Sequence, residues 1–170
     1  GSAFHAGCAG GNTAENIVTK YRISRLEQDE VGLMSHQRAR AAINEGIFKP
    51  EIVPVCIPQR KGPPVVFEID ERPMDTSPDR MAQLAPAFKK DGTCTVGNSS
   101  GINDGAAAVV MMSRKKAEEL GLKPVISIIS FASAGIDPAY MGLGPIPAVR
   151  KALHTAGLDI KDIDVIELNE

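Results

Sequence analysis

The chain has 170 residues, of which 43% are hydrophobic and 24% are charged, and its formal net charge is −2. A chain of this length can bury a core of its own, and the composition is that of an ordinary globular protein. The small net charge and the 4% aromatic content argue against a nucleic-acid-binding protein, and no apolar run approaches the ~20 residues of a membrane-spanning helix.

The cysteine pattern bears on metal binding and on disulfides. Cys8, Cys56 and Cys94 are odd in number and far apart in the sequence, and only three histidines accompany them. Without a C-x-x-C pair this pattern indicates neither a disulfide framework nor a zinc site. We therefore predict no metal, and we interpret Cys56 and Cys94 as small hydrophobic residues.

The first half of the chain predicts helices and a small ribbon. Residues 1–12 are rich in glycine and alanine and predict a tag or a disordered lead. A helix follows with Thr13 as its predicted N-cap. A longer one begins at the capping box of Ser24 and Glu27 and runs to Asn44, with an apolar stripe at Leu26, Val31, Met34 and Ala41 that predicts its buried face. Strands are predicted at 51–58 and 64–70, and a short helix capped by Ser77 is predicted at 78–85.

The second half alternates apolar runs with helical segments. The runs at 106–113, 125–135 and 164–170 predict buried strands, separated by helices at 113–121 and 144–157. Strands alternating with helices indicate a layered α/β sheet. The last predicted strand stops on Asn169 and Glu170, at the carboxyl end where sites in such sheets begin. We therefore expect the chain to be a fragment.

Four segments in order carry a resemblance to a known family. "TAENIVTKYRISRLEQDEVGLMSHQRA", "PAFKKDGTCTVGNSSGINDGAAAVVMMS", "DPAYMGLGPIPA" and "DVIELNE" together resemble the thiolases, which comprise the acetyl-CoA acetyltransferases and the 3-ketoacyl-CoA thiolases. The resemblance implies an incomplete thiolase-like layered αβαβα fold with an irregular α+β loop domain. Residues 13–92 would be the loop domain that covers coenzyme A, and 93–170 part of the catalytic core, ending at the N-E of an N-E-A-F motif.

The resemblance also implies a reaction. Thiolases catalyse Claisen condensation of two acetyl-CoA molecules, or thiolysis of a 3-ketoacyl-CoA, through an acyl-cysteine intermediate. The nucleophilic cysteine, the activating histidine and a second cysteine would lie outside this sequence, so we expect the chain alone to be inactive. Coenzyme A thioesters would be substrates, with no separate cofactor. Two alternatives stay open, namely a non-catalytic coenzyme A-binding piece and a thiolase-like scaffold.

The resemblance further implies a homo-oligomer, either a dimer or a tetramer, that binds neither nucleic acid nor membrane. It implies a cytoplasmic location, with mitochondrial and peroxisomal locations as the alternatives.

Three site residues follow from the motifs of the second half. Asn169 matches the asparagine whose amide helps to hold a water in an oxyanion pocket, and it is the one catalytic residue that the resemblance places in this chain. Ser100, in GNSSG, matches a residue that hydrogen-bonds the pantetheine arm, although such serines are commonly turn formers. Met141 matches a methionine near the acyl end, where a core methionine would look the same.

Three further site residues belong to the predicted loop domain, and two of them lie in the segment that resembles its nucleotide contacts. Arg80 and Arg72 flank the short helix and would bind phosphate through their guanidinium groups, whereas most exposed arginines are only solvated. Phe88 would line the pantetheine tunnel or would simply be a core aromatic. Met74 departs from the family pattern, which has a basic or small polar residue near this position.

Overall fold

A computed structural model describes residues 10–168. These residues form two compact units, of which the first ends at Gly101 and the second begins at Ile102. The first unit therefore includes residues 93–101, which the sequence analysis assigned to the catalytic core.

The first unit contains three helices and a two-stranded ribbon. Helix α1 spans Gly10–Tyr21, α2 spans Arg25–Asn44 and α3 spans Pro78–Ala82, with a 3₁₀ turn at Lys49–Glu51. Strands β1 (Val55–Ile57) and β2 (Val65–Phe67) pair antiparallel, with Cys56 opposite Val66. The ribbon confirms the pair of strands predicted from β-branched residues on either side of a turn.

The ends of α2 follow the sequence signals. Ser24 Oγ accepts a hydrogen bond from the Glu27 N–H at 3.2 Å, and the Glu27 carboxylate accepts one from the Ser24 N–H at 2.7 Å, which confirms the capping box. Gly46 takes a φ of 68° just beyond the helix, a conformation that glycine adopts without strain. The predicted N-cap of α1 is wrong, because the helix already begins at Gly10 and the Thr13 hydroxyl donates back to the Gly10 carbonyl at 2.8 Å.

The inward face of α2 differs from the one that its sequence pattern predicts. The apolar stripe at Leu26, Val31 and Met34 is exposed, with 65%, 59% and 41% of each residue accessible. Asp29 is buried instead, because the helix packs its polar side against a loop rich in hydrogen-bonding groups. Spacing alone identified an amphipathic helix but chose the wrong side as the buried one.

The second unit contains two helices and irregular segments. Helix α4 spans Arg114–Glu119 and α5 spans Pro145–Ala156, with 3₁₀ turns at Pro138–Leu143 and Ile160–Asp162. Both helices lie where the sequence placed them. The N-cap of α4 is Ser113, and α5 ends at Gly157 with a φ of 68°.

The strands predicted in the second unit do not form in the described residues. Residues 106–113, 125–135 and 164–168 carry no strand, and the sheet found within residues 10–168 consists of β1 and β2. Val110, Val125 and Phe131 are 88%, 97% and 87% exposed. A strand needs a neighbour whose N–H and C=O groups complete a ladder. An apolar run indicates that a segment tends to be buried, but it does not specify the adjacent strand with which the segment would pair.

Gly32 marks the closest approach of α2 to the rest of the first unit. A Cβ added there would lie 2.7 Å from the Gly97 carbonyl oxygen and 3.0 Å from the Asn98 Cα. A helix-interior glycine costs roughly 0.5–1 kcal/mol relative to alanine, so its presence here has a steric reason. We therefore expect Gly32→Ala to reverse the usual sign and to lower the free energy of unfolding by about 1–3 kcal/mol, as overpacking does.

A urea titration followed by circular dichroism measures this change. Gly10→Ala is the control, because no atom of the described residues lies within 4 Å of the added Cβ, and it should stay within about 0.5 kcal/mol of the parent. A Gly32→Ala chain more stable than the parent would contradict the packing described above.

Candidate functional site

The interior of the first unit is built around the segment 93–101, here called the serine loop. Thr95 and Cys94 within the loop are 0% and 4% exposed, and Glu15 and Asp29, which reach it from α1 and α2, are 5% and 6% exposed. Met81 of α3 is also fully buried. Since buried polar groups are costly unless they are hydrogen-bonded, the structure depends on how these groups are paired.

Glu15 holds the start of the serine loop. Its Oε1 accepts the N–H groups of Thr93 and Cys94, both at 2.8 Å, and its Oε2 accepts the Thr93 hydroxyl at 3.3 Å. Burial by itself raises the pKa of Glu15, but hydrogen bonds from the backbone and side chains of Cys94 and Thr93 outweigh it and hold the pKa below its usual value. The carboxylate is therefore ionised at neutral pH and fixes two adjacent backbone amides.

Asp29 and Asn98 hold the middle of the loop. Asn98 Oδ1 accepts the Thr95 N–H at 2.7 Å, and Asn98 Nδ2 donates to Asp29 Oδ1 at 2.8 Å and to the Thr93 carbonyl at 3.0 Å. The other Asp29 oxygen, Oδ2, accepts from Arg25 Nε at 2.7 Å. Each polar group of the Asn98 amide thus has a partner, which gives the loop one defined conformation.

Cys94 is the buried thiol of this network. Burial raises the pKa of Cys94 to about 11, and the neighbouring Glu15 carboxylate adds to the effect. Because the thiolate is the nucleophilic form, Cys94 is unsuited to attack an acyl group at neutral pH. The interpretation of Cys94 as a small hydrophobic residue is confirmed, whereas Cys56 is exposed on β1.

This environment predicts a difference in thiol reactivity. At pH 8 we expect iodoacetamide to alkylate Cys94 at least about 100-fold more slowly than Cys56, because Cys94 is buried and little of it is thiolate. Mass spectrometry of the peptides containing Cys56 and Cys94, taken over a time course, gives both rates. In Glu15→Gln the Cys94 rate should rise, because the carboxylate that disfavours the thiolate is gone; an unchanged rate would contradict the role given to Glu15.

Both arginines that were predicted to bind phosphate lie in the first unit. Residues 72–84, which contain both arginines, are here called the basic segment. Arg80 lies in an open cleft of about 380 Å³ that is also lined by Met74, Asp75 and Leu84. Arg80 Nη1 donates to the Asp75 carbonyl at 3.1 Å. The Arg72 guanidinium packs against Gly101, where an added Cβ would overlap it. The structure thus places Arg72 against the end of the serine loop and Arg80 in a cleft of the basic segment.

The other predicted site residues are more dispersed. Ser100 is exposed at the end of the serine loop. Phe88 is 44% exposed and its ring covers Gly11 of α1, where a Cβ would overlap it. Met141 is 53% exposed on a 3₁₀ turn of the second unit. Asn169 lies outside the described residues.

The residues that fix the serine loop were missed by the sequence analysis. They are polar side chains from two helices and from the loop itself, namely Glu15, Arg25, Asp29, His36 and Asn98. One signal was available: Asp29 lies three residues after Leu26 on α2, so a carboxylate interrupts the predicted apolar stripe. Its partner 69 positions later cannot be read from that signal.

Within residues 10–168 no cluster of three or more His, Cys, Asp or Glu residues is placed to hold a metal ion. In the same range, no helix has the length and apolar character needed to cross a bilayer.

Comparison with known proteins decides the family. Residues 2–115 match the model of the thiolase N-terminal domain, and residues 122–170 match that of the thiolase C-terminal domain. The chain belongs to the thiolase family. The expected incomplete thiolase-like α/β fold is thereby confirmed at the level of the family, although the described residues of the three strands predicted in the second unit form no strand.

Individual relatives agree with this assignment. The chain is 59% identical over 160 residues to an acetyl-CoA acetyltransferase of Syntrophomonas wolfei, covering 94% of this chain and 40% of the relative. It is 54% identical over 170 residues to one of Chromobacterium violaceum, covering 99% and 42%. A solved acetyl-CoA acetyltransferase of Syntrophomonas wolfei is similar with a TM-score of 0.83 at 52% identity, covering 94% of this chain and 40% of that structure. The chain thus spans about 40% of the length of these relatives.

Proposed function

We propose that this thiolase chain forms the coenzyme A-binding part of an acetyl-CoA acetyltransferase, whose whole protein condenses two acetyl-CoA molecules or cleaves a 3-ketoacyl-CoA through an acyl-cysteine. The observation that carries the proposal is that Arg72 packs against Gly101 at the end of the serine loop, in a chain whose relatives are acetyl-CoA acetyltransferases.

The chemistry of the first unit supports a ligand with one anionic end and a neutral polar arm. Two guanidinium groups suit phosphate oxygens. Ser100, next to the Gly101 against which Arg72 packs, offers a hydroxyl group that both donates and accepts hydrogen bonds, as the amides of pantetheine require. Coenzyme A combines these features in one molecule. Asn169 is proposed as an oxyanion-pocket residue, and Met141 and Phe88 as walls of the acyl and pantetheine path.

The remaining parts of the proposal concern assembly and location. We propose a homo-oligomer for the whole protein, which is supported by exposed apolar residues of the second unit such as Val125 and Phe131, since surfaces of this kind commonly mark interfaces. A cytoplasmic location and the lack of a separate cofactor stay predictions from the sequence.

Calorimetry with coenzyme A tests the binding part of the proposal. We expect the 170-residue chain to bind coenzyme A, and Arg80→Ala to weaken that binding by about twofold to tenfold, since an exposed charge-assisted contact contributes modestly. Arg60→Ala removes an equally exposed arginine from the turn between β1 and β2 and should leave the affinity unchanged. No heat at millimolar coenzyme A, or equal losses in the two variants, would contradict the proposal.

A thiolysis assay separates binding from catalysis. The chain alone should show no measurable cleavage of acetoacetyl-CoA, because the only thiol described in its interior, Cys94, is held in the protonated form. Measurable thiolysis by the purified chain would contradict the view that the nucleophile lies outside this sequence.

A further inference from the structure

His36 contacts both elements of the proposed coenzyme A site. Its Nδ1 accepts the N–H of Met74 in the basic segment at 3.1 Å, and its Nε2 lies 2.9 Å from the Gly97 carbonyl in the serine loop. A backbone N–H can only donate and a carbonyl can only accept, so these partners assign the neutral tautomer with the proton on Nε2. The ring therefore joins two segments that are not adjacent in the chain, accepting a hydrogen bond from the basic segment and donating one to the serine loop.

A second bridge begins at the other end of the same helix. Arg25 Nη2 donates to the carbonyls of Met81 and Leu84 in the basic segment, at 2.7 and 3.0 Å. Through Asp29 the same guanidinium is joined to Asn98 of the serine loop. Arg25 and His36 are separated by eleven positions, which corresponds to about 16 Å along α2 at 1.5 Å per residue.

The helix between the two bridges lies directly against the loop. Gly32 allows this, because any Cβ there would meet the Gly97 carbonyl oxygen and the Asn98 backbone. Two bridges and a close backbone contact hold the serine loop and the basic segment to one rigid element.

We infer that His36 is a positioning residue, which fixes the basic segment relative to the serine loop so that the two act as one binding surface. The inference rests on the proposed function, because it assumes that the ligand spans both segments. A ligand that touches one segment gains nothing from their alignment. A ligand that touches both binds more tightly when the two contacts are already held at the right separation.

Hydrogen exchange of the chain without ligand tests the coupling. His36→Ala removes the acceptor of the Met74 N–H, so that amide must exchange faster. The inference requires more: the Thr95 and Gly97 amides, whose acceptors lie inside the serine loop, should also exchange at least tenfold faster. Gln37→Ala, an exposed neighbour on α2, is the control and should change none of them. Unchanged exchange at Thr95 and Gly97 in His36→Ala would overturn the inference.

Ligand binding provides the second arm. Two conservative variants each keep one half of the bridge: His36→Asn can accept from Met74, and His36→Gln can donate to Gly97. We expect both to bind coenzyme A at least fivefold more weakly than the parent. Their affinity for adenosine 3′,5′-bisphosphate, which lacks the pantetheine arm and would engage only the basic segment, should stay within twofold. Equal losses for the two ligands would assign His36 a purely structural role, and no loss for coenzyme A would likewise overturn the inference.

The two arms also separate this inference from the proposed function. If the parent chain binds neither ligand, the proposed function fails for this chain. The exchange rates of Thr95 and Gly97 still decide whether His36 couples the two segments.

Discussion

Replacing Glu15 with alanine should lower the free energy of unfolding by about 2–5 kcal/mol. The substitution leaves the Thr93 and Cys94 N–H groups, both bonded to Oε1 at 2.8 Å, without an acceptor in the protein interior. A buried donor that loses its partner costs roughly 1–3 kcal/mol. A urea titration followed by circular dichroism reports this well, because α1 and α2 contribute 12 and 20 helical residues.

Glu15→Gln separates the charge from the hydrogen bonds. Its amide oxygen can accept both N–H groups and its NH₂ can donate to the Thr93 hydroxyl, so it should cost less than half as much as alanine. Glu30→Ala, an exposed carboxylate on α2, should change stability by less than about 0.5 kcal/mol. If Glu15→Ala behaved like Glu30→Ala, the anchoring role of Glu15 would be wrong.

The same carboxylate gives a pH dependence of known sign. Because the folded-state pKa of Glu15 lies below the ordinary value of 4.5, the stabilisation by its charge is fully present above about that value. It is lost as the pH falls through the lower folded-state pKa. The stability difference between the parent and Glu15→Gln should therefore shrink on acidification below pH ~4.5; a difference that grew at low pH would contradict the assignment.

Replacing Asp29 with alanine should lower the free energy of unfolding by about 2–4 kcal/mol. Asp29 is 8% exposed at its side chain and lies between Arg25 Nε at 2.7 Å and Asn98 Nδ2 at 2.8 Å. Removing one member of a largely buried pair leaves the remaining charge uncompensated, which costs roughly 3–5 kcal/mol when burial is complete. The value expected here is smaller because the Arg25 side chain keeps 24% of its exposure.

Asp29→Asn gives a sharper test of the same contacts. Both Asp29 oxygens face donors, so an amide there must present its own NH₂ to one of them, and Asn should recover little of the loss. Asp91→Ala, an exposed aspartate in the same unit, is the control. A fully stable Asp29→Asn chain would show that one of the two contacts is dispensable.

Local chemistry was readable from the sequence. The capping box of Ser24 and Glu27, Ser77 and Ser113 as N-caps, and the glycine after α5 each act through neighbours a few residues away. The positions of α2, α3, α4 and α5 were therefore predicted well. The four motifs likewise identified the thiolase family, and with it the fold class and the arginines near the site.

Two kinds of feature required the tertiary structure. The apolar runs of the second unit predicted strands, but pairing depends on a neighbouring backbone that a run does not specify. The apolar stripe of α2 predicted its buried face, but Asp29 is buried instead, because the serine loop offers amide donors on that side. A hydropathy pattern indicates which residues of a segment tend to be buried, but it does not identify the segment against which they pack.

The residues of the candidate site likewise fall into those that the sequence indicated and those that only the structure revealed. The residues proposed to bind the ligand, Arg72, Arg80 and Ser100, were named from the resemblance to the family. The residues that hold them in place act across the chain: Glu15 bonds groups 78 and 79 positions away, and His36 bonds groups 38 and 61 positions away. Single-sequence patterns carry information over a few turns of helix, whereas a hydrogen bond is fixed by distance and direction in space. For this protein the sequence was enough to identify the family and to place most of the helices, whereas the contacts that position the serine loop, such as those of Glu15 and His36, exist only in the folded chain.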